Sequence, residues 1–180
     1  MNNGKERNTL LRFPKNKAGT NKSLPEKPCS DTIQKIIKGA ENRIFIVLNK
    51  RCPFESEAYE DEATLEVLSS AIKSGISVYV IFSQFNTLND VYSHKLFKTL
   101  KKDSELDYLV ECSVVLVNNP GIGTEHPSFI FSDNTGSRIK NVLGFTSSHF
   151  KEMKDNDFWI EFLVHLFRMM KPISERIHLN

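Results

Sequence analysis

Beyond residue 28 the chain alternates between two periodicities. In "SDTIQKIIKGA" the apolar Ile33, Ile36, Ile37 and Ala40 recur at helical spacing behind Ser30 or Asp31, either of which can cap a first turn. The next segment, "RIFIVLN", is apolar at nearly every position, as expected of a strand covered on both faces. The unit then repeats. "ATLEVLSSAIKSG" presents Leu65, Leu68, Ala71 and Ile72 on one face and stops at Gly75, and "ISVYVIFS" follows as a second buried strand. "SHKLFKTLKKD" and "CSVVLVNN" supply a third round. Helix and strand in alternation predict a parallel sheet.

After residue 118 the pattern changes. "SFIFSD" and "NVLGFTS" are apolar runs separated by "NTGSRIK", whose Asn134 and Gly136 are turn formers, so a late hairpin and a mixed sheet are expected. "DFWIEFLVHLFRMM" is apolar nearly all round, broken only by Glu161, His165 and Arg168 on one narrow stripe. That surplus of apolar surface predicts a helix packed on the sheet and on a second copy of the chain, or else covered by the tail or the segment after Pro172, with Trp159 and Met169 in the core. His94 and His165 read as structural or solvated, and His178 as part of a frayed end.

Composition changes this picture in one place. The 180 residues are 39% hydrophobic and 26% charged, with a formal net charge of +2, ordinary values for one globular domain. Residues 1 to 28, however, hold seven Lys or Arg against two Glu, leaving seventeen basic and twenty acidic residues for the rest. The expected organisation is therefore a disordered basic tail over 1–28 and a single domain over 29–180. Such a tail suits a salt-sensitive contact with nucleic acid or an acidic membrane surface, or serves as a solvated arm. Cys29, Cys52 and Cys112 lack the spacing of a zinc site or a disulfide framework and read as reduced thiols. No apolar run approaches the roughly 20 residues of a spanning helix, and the N-terminus has no secretory pattern, so a soluble, cytoplasmic protein is expected. A Rossmann-type nucleotide site is disfavoured, because "NKRCPFESE" after the first strand has no glycine.

The chemistry-bearing segment is "TEHPSFIFSDNTG", with His126, Ser128 and Asp133 at the first, third and eighth positions of a short stretch. Together with "LSSAIKSGISVYVIF" and the order of elements over about residues 30 to 170, it resembles a single domain of the phospholipase D superfamily. "HPSFIFSD" is similar to the HxKxxxxD signature of that family, and "LGFTSSHF" stands where the family has a Gly-Ser-x-Asn segment. The resemblance implies a mixed β-sheet flanked by helices, its late hairpin carrying the motif. It also implies His126 as a nucleophile forming a phosphohistidine, Asp133 as its support, no metal or cofactor, and two motifs facing each other, which single-domain members achieve as homodimers. If Gly144 matches the family's glycine, Ser147 takes the Asn position; if Ser147 matches its serine, His149 does. Ser147, Ser148 and His149 are then expected beside His126 as substrate-binding groups with Ser128.

Where the family has lysine, this chain has Ser128. Side chains at i and i+2 of a strand share a face, so His126 and residue 128 are expected to address one phosphate. A serine there carries no charge, and losing a charge aimed at a developing oxyanion costs about 10² to 10³ in rate. Arg138 and Lys140 lie near the hairpin turn, about 16 Å away at strand rise, too far to substitute. Two functions are compatible with these residues. One is a degenerate, catalytically impaired domain that binds phosphodiesters or nucleic acid, or serves assembly. The other is an active, metal-independent phosphodiesterase of nuclease type working as a homodimer. Outside the resemblance, His126 reads as a strand-edge histidine and Asp133 as a turn residue.

Overall fold

The computed structural model describes residues 28–51, 58–102, 108–117, 126, 128–133, 139–145, 150–152 and 157–179, with only the backbone given for 28–29, 139–145, 150–152 and 157–160. The basic tail up to residue 27, Cys52, Arg138 and the segment holding Ser147, Ser148 and His149 lie outside the described residues.

Helix α1 spans Pro28–Lys38 and strand β1 Arg43–Asn49. The helix starts before Ser30 and Asp31, with a proline in its first turn, where the missing N–H would have had no helical partner. Helix α2, Glu62–Lys73, begins at Asp61, whose carboxylate accepts from the Thr64 N–H at 3.1 Å and the Thr64 hydroxyl at 2.8 Å. It ends where Gly75 takes a φ of 92°, a left-handed conformation that costs glycine nothing. Strand β2 covers Ser77–Phe85. A short extra helix precedes the third helical segment. Thr87 and Asp90 form a reciprocal capping box that starts α3, Leu88–Ser93, ahead of α4, Lys95–Lys102. Strand β3 is Val110–Leu116, β4 Ser128–Asp133, β5 Ile139–Phe145 and β6 Phe150–Glu152. Helix α5 spans Asp157–Met170, and β7 spans Glu175–Ile177.

These strands form one mixed, seven-stranded sheet in the order β6-β5-β4-β1-β2-β3-β7. β1, β2 and β3 are parallel, β4 runs antiparallel to β1, and β4 and β5 make the late hairpin. Alternation along the strands sorts the core into two layers. Ile44, Ile46, Leu48, Val78, Val80 and Phe82 face α1, α2 and α4, meeting Ile33, Leu68, Ile72 and Leu100. Val47, Ile81, Val115, Phe129 and Phe131 face α5, meeting Leu163, Phe167 and Met170. Strands β1 to β4 are thus buried on both sides, which is why their sequences are mostly apolar.

Two expectations need correction. Met169 is 55% exposed rather than in the core, because Met170, one step round the helix, takes the buried position. Glu161, His165 and Arg168 do share the exposed stripe. The chain after Pro172 does not fray at the backbone: β7 adds to the β3 edge and buries Ile177 and Leu179 against the first layer, although His178 itself is exposed. Cys112 is a free thiol, and burial pushes its pKa up to about 12, with the Glu111 carboxylate adding to the shift. No helix among the described residues is long and apolar enough to cross a membrane.

Candidate functional site

The carboxyl ends of β1 and β2 meet the start of β4 at one edge of the sheet. Parallel β1 and β2 arrive there together, and antiparallel β4 leaves from there, with Phe129 opposite Val47. Asn49, Ser83, His126 and Ser128 are consequently neighbours although 79 residues separate the outermost pair. Asn49 is the hub. Its backbone N–H donates to the Ser128 hydroxyl at 2.7 Å, and its side-chain amide donates to the His126 carbonyl at 2.7 Å. The amide oxygen accepts from the Arg51 N–H at 3.0 Å, which fixes which end of the amide faces His126. The His126 Nε2 lies 2.7 Å from the Ser83 hydroxyl.

Ser128 does not present its hydroxyl to solvent. It is fully buried, and its oxygen accepts a backbone N–H. An ammonium has donors and no acceptor, so a lysine at 128 would set donor against donor in a dry site. Asp133 is also elsewhere. It stands at the far end of β4, seven residues from His126, roughly 24 Å at strand rise. There its carboxylate accepts the Arg43 N–H at 2.8 Å and the Arg43 Nε at 2.7 Å, and pairs with the guanidinium. The motif's two ends are therefore separate devices: His126 is held in the crevice, while Asp133 fastens β4 to the start of β1. Ser147, Ser148 and His149 fall outside the described residues, so their place beside His126 stays an expectation.

Next to Asn49, on the first layer's side, a cavity of about 220 Å³ is lined by Lys50, Glu60, Asp90 and His94 among others. Lys50 sits 3.5 Å from the Asp90 carboxylate and 5.4 Å over the Phe85 ring. Two carboxylates against one lysine make this cavity a poor home for an anion. His94 packs edge-on against Phe82 and Phe85, and its Nδ1 accepts the Leu96 N–H at 3.2 Å, leaving the proton on Nε2. Burial lowers its pKa below the ordinary value; the Glu60 carboxylate raises it and Lys50 lowers it further.

Two residues went unnoticed at the sequence level. Ser83 lies near the carboxyl end of β2, and a polar residue there in a mostly apolar, buried strand was the available signal. Gln84 follows it at a bulge, with φ 61° in a region unfavourable for a side chain with a Cβ. Gln84 is 2% exposed, and among the described residues neither its side-chain nitrogen nor its oxygen has a hydrogen-bond partner. Strain and an unsatisfied buried amide thus stand beside Ser83 at the carboxyl end of β2.

No family model and no curated protein matches this chain. Among solved structures it is similar to TrmBL2, an archaeal chromatin protein described as showing a novel mode of DNA binding. The TM-score is 0.54 at 11% identity, covering 83% of this chain and 49% of that one. The likeness is one of fold. The chain spans about half the length of that protein.

Proposed function

We propose that the chain is a phospholipase D-like domain that has lost turnover and binds phosphodiesters, nucleic acid foremost, as a module within an assembly. The observation that carries this reading is Ser128: the motif's lysine position is occupied by a buried hydroxyl accepting the Asn49 N–H. A site without that cation lacks the charge that would stabilise a pentavalent phosphorus. His126 is restrained as well. Chemistry through its Nε2 requires the Ser83 contact at 2.7 Å to break, whichever partner carries the proton. The fold shared with a DNA-binding chromatin protein supports nucleic acid as the ligand class.

The second reading, a homodimeric phosphodiesterase acting through phosphohistidine, draws on the apolar surface of α5. Met169 is exposed, and Phe162, Val164 and Leu166 are only partly covered by the second layer. A two-fold contact through this helix would bury them and bring two copies together. The readings separate on one experiment with the full chain and a labelled single-stranded DNA in the presence of chelator. The binding module gives saturable, salt-sensitive binding and intact DNA, weakened in His126→Ala. Cleavage that disappears in His126→Ala establishes the phosphodiesterase instead, and absence of binding removes the nucleic-acid reading.

A further inference from the structure

On the first helical layer, α2 and α4 lie side by side and leave a groove of about 580 Å³ between them. Its walls carry Lys73 from α2 and Lys95, Lys98 and Lys102 from α4, against Glu62 and Glu66. All four lysines are exposed. Helix α4 itself is "KLFKTLKK": Leu96, Phe97 and Leu100 anchor it in the core, every charge it bears is positive, and Lys101 adds a further cation beside the groove. The Lys95 ammonium is steered by the Glu60 carbonyl at 3.2 Å. Among the described residues Lys98 and Lys102 have no acidic partner.

We infer that this groove is a contact surface for the phosphate backbone of a nucleic acid. It rests on the binding reading above and adds a second surface, outside the crevice around His126. The spacing supports it. Lys95, Lys98 and Lys102 recur on one face over seven residues, about 10 Å of helix rise, the axial length of roughly three nucleotide steps. Shape and polarity favour a rod-like polyanion over a lipid surface. The site is concave, and the large apolar side chains exposed among the described residues, Leu88, Tyr92, Tyr108 and Met169, do not line it. A surface that docks on a bilayer combines its basic residues with apolar ones that insert. Contacts of lysine with phosphate alone carry no base information, so this surface adds affinity without sequence preference.

The test uses the full chain, a fluorescein-labelled 20-nucleotide single-stranded DNA and anisotropy titrations at 50 and 200 mM salt. Wild type is compared with the double variant K98Q/K102Q, whose melting curve confirms that the exposed substitutions leave the fold intact. Two lost phosphate contacts flatten the logarithmic salt slope by about 1.4, so affinity should fall about 7-fold less than in wild type between the two salts. Glu66→Gln removes a repulsive charge and should tighten binding. Wild-type binding with an unchanged slope in K98Q/K102Q overturns the groove while sparing the crevice. No wild-type binding at all overturns both. Loss of binding to phosphatidylserine vesicles in the double variant, with DNA binding untouched, reassigns the groove to a membrane and also overturns the inference.

Discussion

Replacing Asp133 separates a structural from a catalytic role for the motif's last residue. The carboxylate is 2% exposed and holds Arg43 through the backbone N–H, the Nε and the guanidinium, whereas the Arg43 side chain is 35% exposed. In Asp133→Ala the Arg43 N–H loses its acceptor inside the sheet, a loss of about 1–3 kcal/mol. The charge-assisted bonds go too, but the guanidinium can turn into water, so the total should stay below the roughly 3–5 kcal/mol of a fully buried pair broken on one side. We expect about 2–4 kcal/mol in all, which for a body of this size lowers Tm by roughly 5–15 °C. Asp133→Asn keeps an oxygen for the N–H and loses the ion pair, so it should fall between wild type and alanine. Urea unfolding followed by circular dichroism gives the energies, and an unchanged m-value confirms that the compactness of the two states is the same. DNA binding by folded Asp133→Asn should match wild type. A variant as stable as wild type that loses binding or activity would refute the clamp and return Asp133 to the site.

Other outcomes follow from the same contacts. Ser128→Ala should cost about 1–3 kcal/mol by leaving the Asn49 N–H without an acceptor, and Ser128→Lys should cost more without gaining hydrolysis of a generic phosphodiester; a stable, active Ser128→Lys would contradict the geometry. His94 is held with a lowered pKa, so well above about pH 6.5 it is neutral in both states and contributes no pH dependence. Below that the unfolded chain takes the proton first, and the urea midpoint should drop as pH falls from about 6.5 toward the lowered folded value; His94→Phe should flatten that drop, and an equal drop in both proteins would assign it elsewhere. If α5 forms a two-fold contact, light scattering should show a dimer at micromolar protein that Met169→Asp converts to a folded monomer, because each introduced charge meets its copy; a wild-type monomer ends the dimer reading.

The architecture was legible because β1 to β4 are buried on both faces and α1 and α2 each have one apolar stripe. Ile33, Ile36 and Ile37, or Leu65, Leu68 and Ile72, announce their packing by spacing alone, and all are buried. What escaped was local. The short helix α3, started by the capping box of Thr87 and Asp90, precedes the run whose periodicity shows α4, and β7 is a strand of three residues, too short to show a period. Within the motif, the spacing set His126 and Ser128 toward one phosphate, whereas Ser128 is buried. Alternation says which side of a strand a residue occupies, yet at the first position of β4 the hydroxyl turns to a neighbouring backbone N–H instead. Asn49, the hub of the crevice, lies 77 residues before the histidine it holds, and no local pattern links them.

The most direct test is hydrolysis of a generic phosphodiester by the full chain with chelator present, wild type beside His126→Ala, with DNA binding measured on the same preparations. A binding module built on a lysine-less motif should show equal background hydrolysis in both proteins, together with DNA binding that weakens when His126 is removed. Chelator-resistant turnover that vanishes in His126→Ala would contradict it.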